Sequence, residues 1–400
     1  MENQKSNYQY QTKNNYSVIN QKKVSEEKAK HVSKQSSIFY SVDLEWYDEY
    51  GIYYIIEPKE YLDNIDQLRQ NKNDIFAKGK ILTFSNRSDF SFDAVVDSSE
   101  EDPDDKNIVY AYIVPIKEKY REYSKKILGN YKVEERNGDL TYERMSNAIK
   151  EFVKGGCCSN NLEQYILGNK ISNGYKEFKK IFNYKTYYLN EIYNFAKMNY
   201  NQEKELQKIF HQEISTINLT KNTDNRILCL IIYAIYQCRK NMKDKILVCS
   251  SSNSAADSIS LDLLRMKEYI DKLDILRIYA KNQELIKRNR RLNKISFHQL
   301  RRKRYKKKFN DRYEKRKWII KKHDIIISTC VNSYNDDIIN FKFPFVIIID
   351  ANNSNENENL IPITLNAKHV LLISYEGSDN GEINLYKRIK NLYPKNHCEI

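Results

Sequence analysis

Residues Ile246–Asp257 read ILVCSSSNSAAD. An apolar run that breaks into a Ser/Asn cluster and then into helix-compatible residues predicts a buried strand delivering a polar turn into a helix. Asn253 or Ser254 stands where it can cap a helix beginning at Ala255. The same texture recurs on both sides: ISTINL, the apolar helix ILCLIIYAIYQC, ILRIY, a basic helix, DIIIST, FVIIID and HVLLIS. Short apolar strands alternating with helices predict an α/β domain with a mostly parallel sheet covered on both faces. FVIIID has the composition of a strand buried on both sides.

Upstream of this region the organisation differs. Residues 1–36 are polar and are expected to form a flexible tail. From Ser37 to Pro115, segments such as GIYYIIE, FSFDAVVD and NIVYAYIVP alternate β-branched and aromatic residues between polar breaks, which predicts a small antiparallel β-barrel-like domain. Residues 116–199 turn helical, with LTYERMSNAIKEFV as the clearest amphipathic segment, and read as a helical connector. Residues 200–400 then form the α/β domain.

Composition excludes several classes. The longest purely apolar stretch, Ile227–Tyr236, has ten residues, whereas about 20 span a bilayer, so no membrane partner is expected. The seven cysteines contain no C-x-x-C pair, which argues against a zinc site and a disulfide framework and for a reducing, cytoplasmic setting. The net charge of +14 is local: between Lys281 and Lys322 there are nineteen Lys or Arg against three acids. Such a patch fits a polyanion, chiefly nucleic acid, although a charge run also serves as a solvated helix face or as a nuclear-import signal, here Arg301–Lys308.

Taken in order, several segments resemble the first motor domain of superfamily 1 RNA helicases of the Armitage and up-frameshift type. KILVCSSSNSAAD is similar to the family's strand and C-A-P-S-N-S-x-A-D turn. ILRIYA resembles its arginine-x-tyrosine-alanine strand, DIIISTC its threonine-cysteine strand, and FVIIIDANNSNENENLIPI its second nucleotide motif. NQEKELQKIF is similar to the family's adenine-reading helix, with Lys204 where the glutamine belongs. The resemblance covers roughly Tyr200–Ser374 and implies a single RecA-like domain preceded by a barrel that touches RNA. It also implies that Ser252, Asn253, Ser328 and Thr329 face RNA.

The same resemblance exposes departures at the fuel site. No glycine occurs from Tyr175 to Glu376, yet the family wraps phosphates with a glycine-rich loop whose backbone N–H groups need residues without a Cβ. TKNTDNRI, Thr220–Ile227, occupies that place. Arg226 stands at or beside the lysine position, and its broad guanidinium replaces a point charge poorly. Ile227 stands where a hydroxyl would hold magnesium. Asp350 keeps the metal-strand position, but Ala351 follows where the family has the glutamate that orients the attacking water. After HVLLIS, YEGSDN replaces the family's glycine-aspartate-x-x-glutamine sensor. The sequence given also stops at Ile400, before the place of a second motor domain.

These departures predict a truncated, catalytically inactive helicase-like protein with no cofactor, ATP and magnesium entering only if that reading fails. Its expected partner is single-stranded RNA or a ribonucleoprotein, with protein partners besides, and its expected role is scaffold or competitor in RNA metabolism or silencing. Arg301, Arg302, Arg304 and Lys307 would neutralise phosphates from one helix spanning Ser296–Lys322, with Tyr305, Phe309, Tyr313 and Trp318 near one face. Packing of that face onto the domain is the competing expectation for Phe309 and Trp318. Two alternatives stay open: a fragment of an active ATP-dependent RNA helicase, and a protein-interaction module or gene relic that retains only the fold.

Overall fold

A strand with apolar side chains on both faces must be covered twice, and the C-terminal region solves this with seven such strands in one sheet. In the computed structural model, which describes residues 12–32, 40–46, 53–56, 81–86, 90–101, 109–115, 129–135, 139–169, 200–219, 225–267, 273–280, 283–284, 290–302, 312–377 and 383–400, the chain divides into two units.

The larger unit holds β7 (Ile214–Leu219), β8 (Ile246–Ser250), β9 (Ile275–Arg277), β10 (Ile325–Thr329), β11 (Phe345–Ile349), β12 (His369–Tyr375) and β13 (His397–Glu399). Their order is β13-β7-β12-β11-β8-β10-β9, and every pairing is parallel. Successive residues point to opposite faces. Ile246, Val248, Ile325, Ile327, Phe345 and Ile347 join one core, and Leu247, Cys249, Ile326, Val346 and Ile348 join the other. The first core is closed by two helices, Asn225–Cys238 and Asn253–Lys267, through Leu228, Ile231, Ile232, Ile259 and Leu263. The second is closed by helices Arg312–Lys322, Glu356–Ile363 and Leu385–Leu392, through Ile319, Ile320, Leu360, Ile361, Leu385 and Ile389.

The helix predicted around LTYERMSNAIKEFV spans Asp139–Lys154 and buries Met145, Ala148, Ile149 and Phe152 in the second core. It stops at Gly155, whose φ of +83° is one that residues with side chains rarely adopt. A Cβ there would come within 2.7 Å of Lys13 Nζ, which pairs with Glu163 at 2.6 Å. Lys13 belongs to a helix, Lys13–Val32, that corrects the expectation of a flexible tail over 1–36. Its anchors are buried at helical spacing: Tyr16 against Phe152 at 4.9 Å between ring centroids, then Asn20 and Val24. Three anchors in twenty mostly polar residues leave only a faint periodic signal.

The second unit contains a closed antiparallel barrel, ordered β1 (Tyr40–Trp46), β2 (Tyr53–Ile56), β5 (Val109–Pro115), β4 (Ser91–Glu101), β3 (Ile81–Ser85) and β6 (Gly129–Glu135). Leu82, Phe84, Phe92, Ala94, Ala111, Ile113, Tyr131 and Val133 are buried, and Phe84 stacks on Phe92 at 5.0 Å. Strand β6 lies within the stretch predicted to be a helical connector (116–199). It pairs with both β1 and β3 and so closes the barrel. Among the described side chains of GNYKVEE, Tyr131 and Val133 are the buried ones, too short an alternation to stand out among polar neighbours. Residues 116–128 and 170–199 lie outside the described residues.

Candidate nucleic-acid and nucleotide sites

The turn after β8 is built from the inside. Ser250 is fully buried and its hydroxyl donates to the Ser252 carbonyl at 2.6 Å, which tightens the chain before the helix. Ser252 caps that helix: its Oγ accepts from the Ala255 N–H at 3.2 Å and its carbonyl accepts from the Ala256 N–H at 3.2 Å. The helix thus begins at Asn253, earlier than predicted, and the cap is Ser252 in place of Asn253 or Ser254. Ser252 is exposed and Asn253 half-buried at the carboxyl ends of the strands, where ligands of open α/β sheets bind.

A fully buried guanidinium, the arginine of the ILRIYA strand, to which the sequence assigned no role, organises this turn. Arg277 of β9 donates from Nε to Asp257 Oδ1 at 2.9 Å, from Nη2 to Asn253 Oδ1 at 2.9 Å and from Nη1 to the Ile278 carbonyl at 2.8 Å. The Tyr279 ring lies 4.0 Å beneath it, and the Tyr279 hydroxyl also donates to Asp257 Oδ1 at 2.9 Å. Asn253 and Asp257 are four residues apart and share one helix face. An arginine inside the apolar run ILRIY was the available signal.

The threonine-cysteine strand is placed less favourably. Ser328 is fully buried, donating to the Ile278 carbonyl at 3.3 Å and accepting from Asn332 Nδ2 at 2.9 Å. Strand alternation points it inward, so the expectation that it faces RNA is corrected. Thr329 is partly exposed, and its Oγ1 accepts from the Asn332 N–H at 3.4 Å.

The basic segment is two helices, Phe297–Arg302 and Arg312–Lys322, in place of one; residues 303–311, with Arg304, Tyr305, Lys307 and Phe309, lie outside the described residues. Arg301 is half-buried, Arg302 ends the first helix, and Tyr313 stands at the start of the second. Within the second helix Arg316 is buried and forms an ion pair with Asp337, its Nε donating at 2.6 Å. Trp318 packs against the core beneath Lys322, whose Nζ lies 5.3 Å from the ring, as the packing expectation held. Lys317, Lys321 and Lys322 are exposed.

At the nucleotide side, Thr220–Asp224 lie outside the described residues. Arg226 is exposed in the first turn of the helix after β7, and Ile227 packs against the core, with no oxygen to offer a cation. Lys204 is exposed on the helix Tyr200–Ile209. Asp350 ends β11 in the left-handed region, φ 56°, and burial pushes its carboxyl above the usual carboxylate range. Burial raises the phenol of Tyr375 at the end of β12, and the Asp350 charge raises it further. Ala351 is fully buried. The next carboxylate in the chain, Glu356, is also buried and is held bidentately by Arg388, at 2.7 Å from Nη2 and 3.1 Å from Nε. Asn384 Nδ2 ties the same helix, Leu385–Leu392, back to the Asn352 carbonyl at 2.8 Å. Among the described residues this set offers a magnesium triphosphate one buried carboxyl and no base, and it does not fit that group.

The all-parallel sheet, with polar turns and an acidic strand end along one rim, defines a RecA-like domain of the P-loop NTPase fold. A family described as an AAA domain matches residues 280–373. The chain is 26% identical over 262 residues to the ATP-dependent helicase NAM7 of Saccharomyces cerevisiae, covering 58% of this chain and 25% of that protein. It is 25% identical over 288 residues to the regulator of nonsense transcripts 1 of Dictyostelium discoideum, covering 65% and 21%, and 24% identical over 264 residues to the ATP-dependent helicase upf1 of Schizosaccharomyces pombe, covering 58% and 27%. The parallel-sheet domain is thus similar to the motor domain of up-frameshift-type superfamily 1 helicases. The matched region spans about a quarter of the length of these relatives.

Proposed function

We propose that this chain is a helicase-like protein that binds single-stranded RNA without hydrolysing ATP, and that it serves as a scaffold or competitor in RNA metabolism or silencing. The observation that carries the reading is the exit of β11. Asp350 is followed by the buried Ala351, and Glu356 is committed to Arg388, so among the described residues neither of these two positions offers a carboxylate to orient an attacking water. Loss of phosphate positioning or of transition-state charge costs several kcal/mol each, on the order of 10²–10³ in rate per lost contact. RNA binding is supported by the exposed Ser252, the half-buried Asn253 and the exposed lysines of Arg312–Lys322. The reading places the protein in the cytoplasm, with Arg301–Lys308 as a route of nuclear entry, and leaves protein partners to the same surfaces.

The test is a titration of labelled single-stranded RNA at two salt concentrations alongside an ATP turnover assay. Salt-sensitive RNA binding without turnover is expected; RNA-stimulated hydrolysis would overturn the reading. The coverage of about a quarter of each relative keeps one alternative, a piece of a longer active helicase. It predicts turnover once the remaining chain is supplied, which the missing base argues against.

A further inference from the structure

We infer that Arg277 is a positioning residue for RNA: it acts through Asn253 and Asp257 to present the Ser252–Asn253 turn to the backbone of the strand. The inference rests on the RNA-binding reading above and names the device that sets up its contact. Arg277 itself is fully buried and touches no solvent. A guanidinium only donates, so the Asn253 atom 2.9 Å from Nη2 is the amide oxygen, and the orientation of the amide is fixed. The Nδ2 donors are then what Asn253 offers to an acceptor such as a phosphate oxygen or a 2′-hydroxyl.

The second contribution is electrostatic. Asp257 is 18% exposed at its side chain, one helical turn after Asn253, and an unbalanced carboxylate there would repel an approaching phosphate. Arg277 Nε at 2.9 Å supplies the countercharge from inside the fold, and the Tyr279 hydroxyl donates to the same oxygen. Two grips on Asn253 and Asp257 also fix the rotation of the helix start, and with it the exposed Ser252 cap. Replacing Arg277 removes the lock on the amide and the neutralisation together, without removing any group that meets the RNA.

The test is fluorescence anisotropy with a labelled single-stranded oligouridylate on wild-type, R277M, N253A and R277M/N253A proteins at several salt concentrations, with active fraction measured by stoichiometric titration. R277M/D257N serves as the second variant, because it removes both charges of the pair and keeps the fold accessible should R277M fold poorly. N253A and R277M are each expected to weaken binding about tenfold, the worth of one hydrogen bond to a charged group. The share of the R277M loss that comes from the uncovered Asp257 carboxylate should shrink at high salt, and R277M/N253A should fall well short of the hundredfold product of the single losses, because the amide lock is lost only once. R277M/D257N, with the carboxylate gone, should bind more tightly than R277M. An R277M or R277M/D257N affinity equal to wild type, or losses that multiply to about a hundredfold in the double variant, would overturn the inference while leaving the RNA reading intact. A wild-type protein that does not bind the probe at any salt concentration overturns the RNA reading, and the inference falls with it.

Discussion

Replacing Arg388 with Met should destabilise the motor domain strongly, and for a reason that can be separated from lost packing. The side chains of Arg388 and Glu356 are 1% and 3% exposed, and two hydrogen bonds, 2.7 and 3.1 Å, join them. Methionine keeps much of the aliphatic volume but deprives a buried carboxylate of its countercharge, which costs roughly 3–5 kcal/mol. At about 2–4 °C per kcal/mol for a domain of this size, the melting temperature should fall by roughly 6–20 °C. Adding E356Q removes the stranded charge, so R388M/E356Q should recover most of the loss. Guanidinium unfolding followed by circular dichroism reads both. An R388M protein within about 1 kcal/mol of wild type, or a double variant as unstable as R388M, would refute the argument that a buried pair ties helix Glu356–Ile363 to helix Leu385–Leu392.

Three further outcomes follow from the geometry. Burial lowers the pKa of His369 to about 4 while its Nε2 donates to the Ile209 carbonyl at 2.9 Å. The folded state therefore holds the ring neutral while the unfolded chain protonates below about pH 6.5, so stability should drop by roughly 3 kcal/mol between pH 6.5 and 4, and H369Q should flatten that slope in urea midpoints. G155A forces a side chain onto a φ of +83° and toward Lys13, and should cost about 1–2 kcal/mol by the same unfolding assay; an unchanged midpoint would remove the constraint assigned to that turn. K317E/K321E reverses two exposed charges and should weaken RNA binding at low salt and lower the salt slope by about 2, because each lost phosphate contact takes about one unit from it; an unchanged slope would take these lysines out of the interface.

Much of the parallel sheet was legible because doubly buried strands cannot disguise their composition: Ile246–Ser250, Ile325–Thr329 and Phe345–Ile349 are apolar at nearly every position. The elements that escaped are those whose inward residues are few. His397–Glu399 turns only Cys398 into the core, and Lys13–Val32 has its anchors at Tyr16, Asn20 and Val24. At the site, the Ser252–Asn253 turn was readable from its residues, and Ser328 was misread because alternation turns it inward. The partners of Arg277 and Arg388 lie 20 and 32 residues away, so no local pattern names them. Arg277 leaves a trace, as a charge inside the apolar run ILRIY and as the arginine of the R-x-Y-A resemblance, whereas Arg388 sits between Lys387 and Lys390 and does not stand out.

The most direct test of the account is ATP turnover by the wild-type protein with saturating single-stranded RNA, set beside a variant that places a glutamate at Ala351. The account predicts no hydrolysis above background from wild type while RNA is bound. It predicts none from A351E either, because the stretch Thr220–Ile227 has none of the glycines that seat the phosphates and carries Arg226 at or beside the place of their lysine. RNA-dependent turnover by the wild-type chain would contradict it.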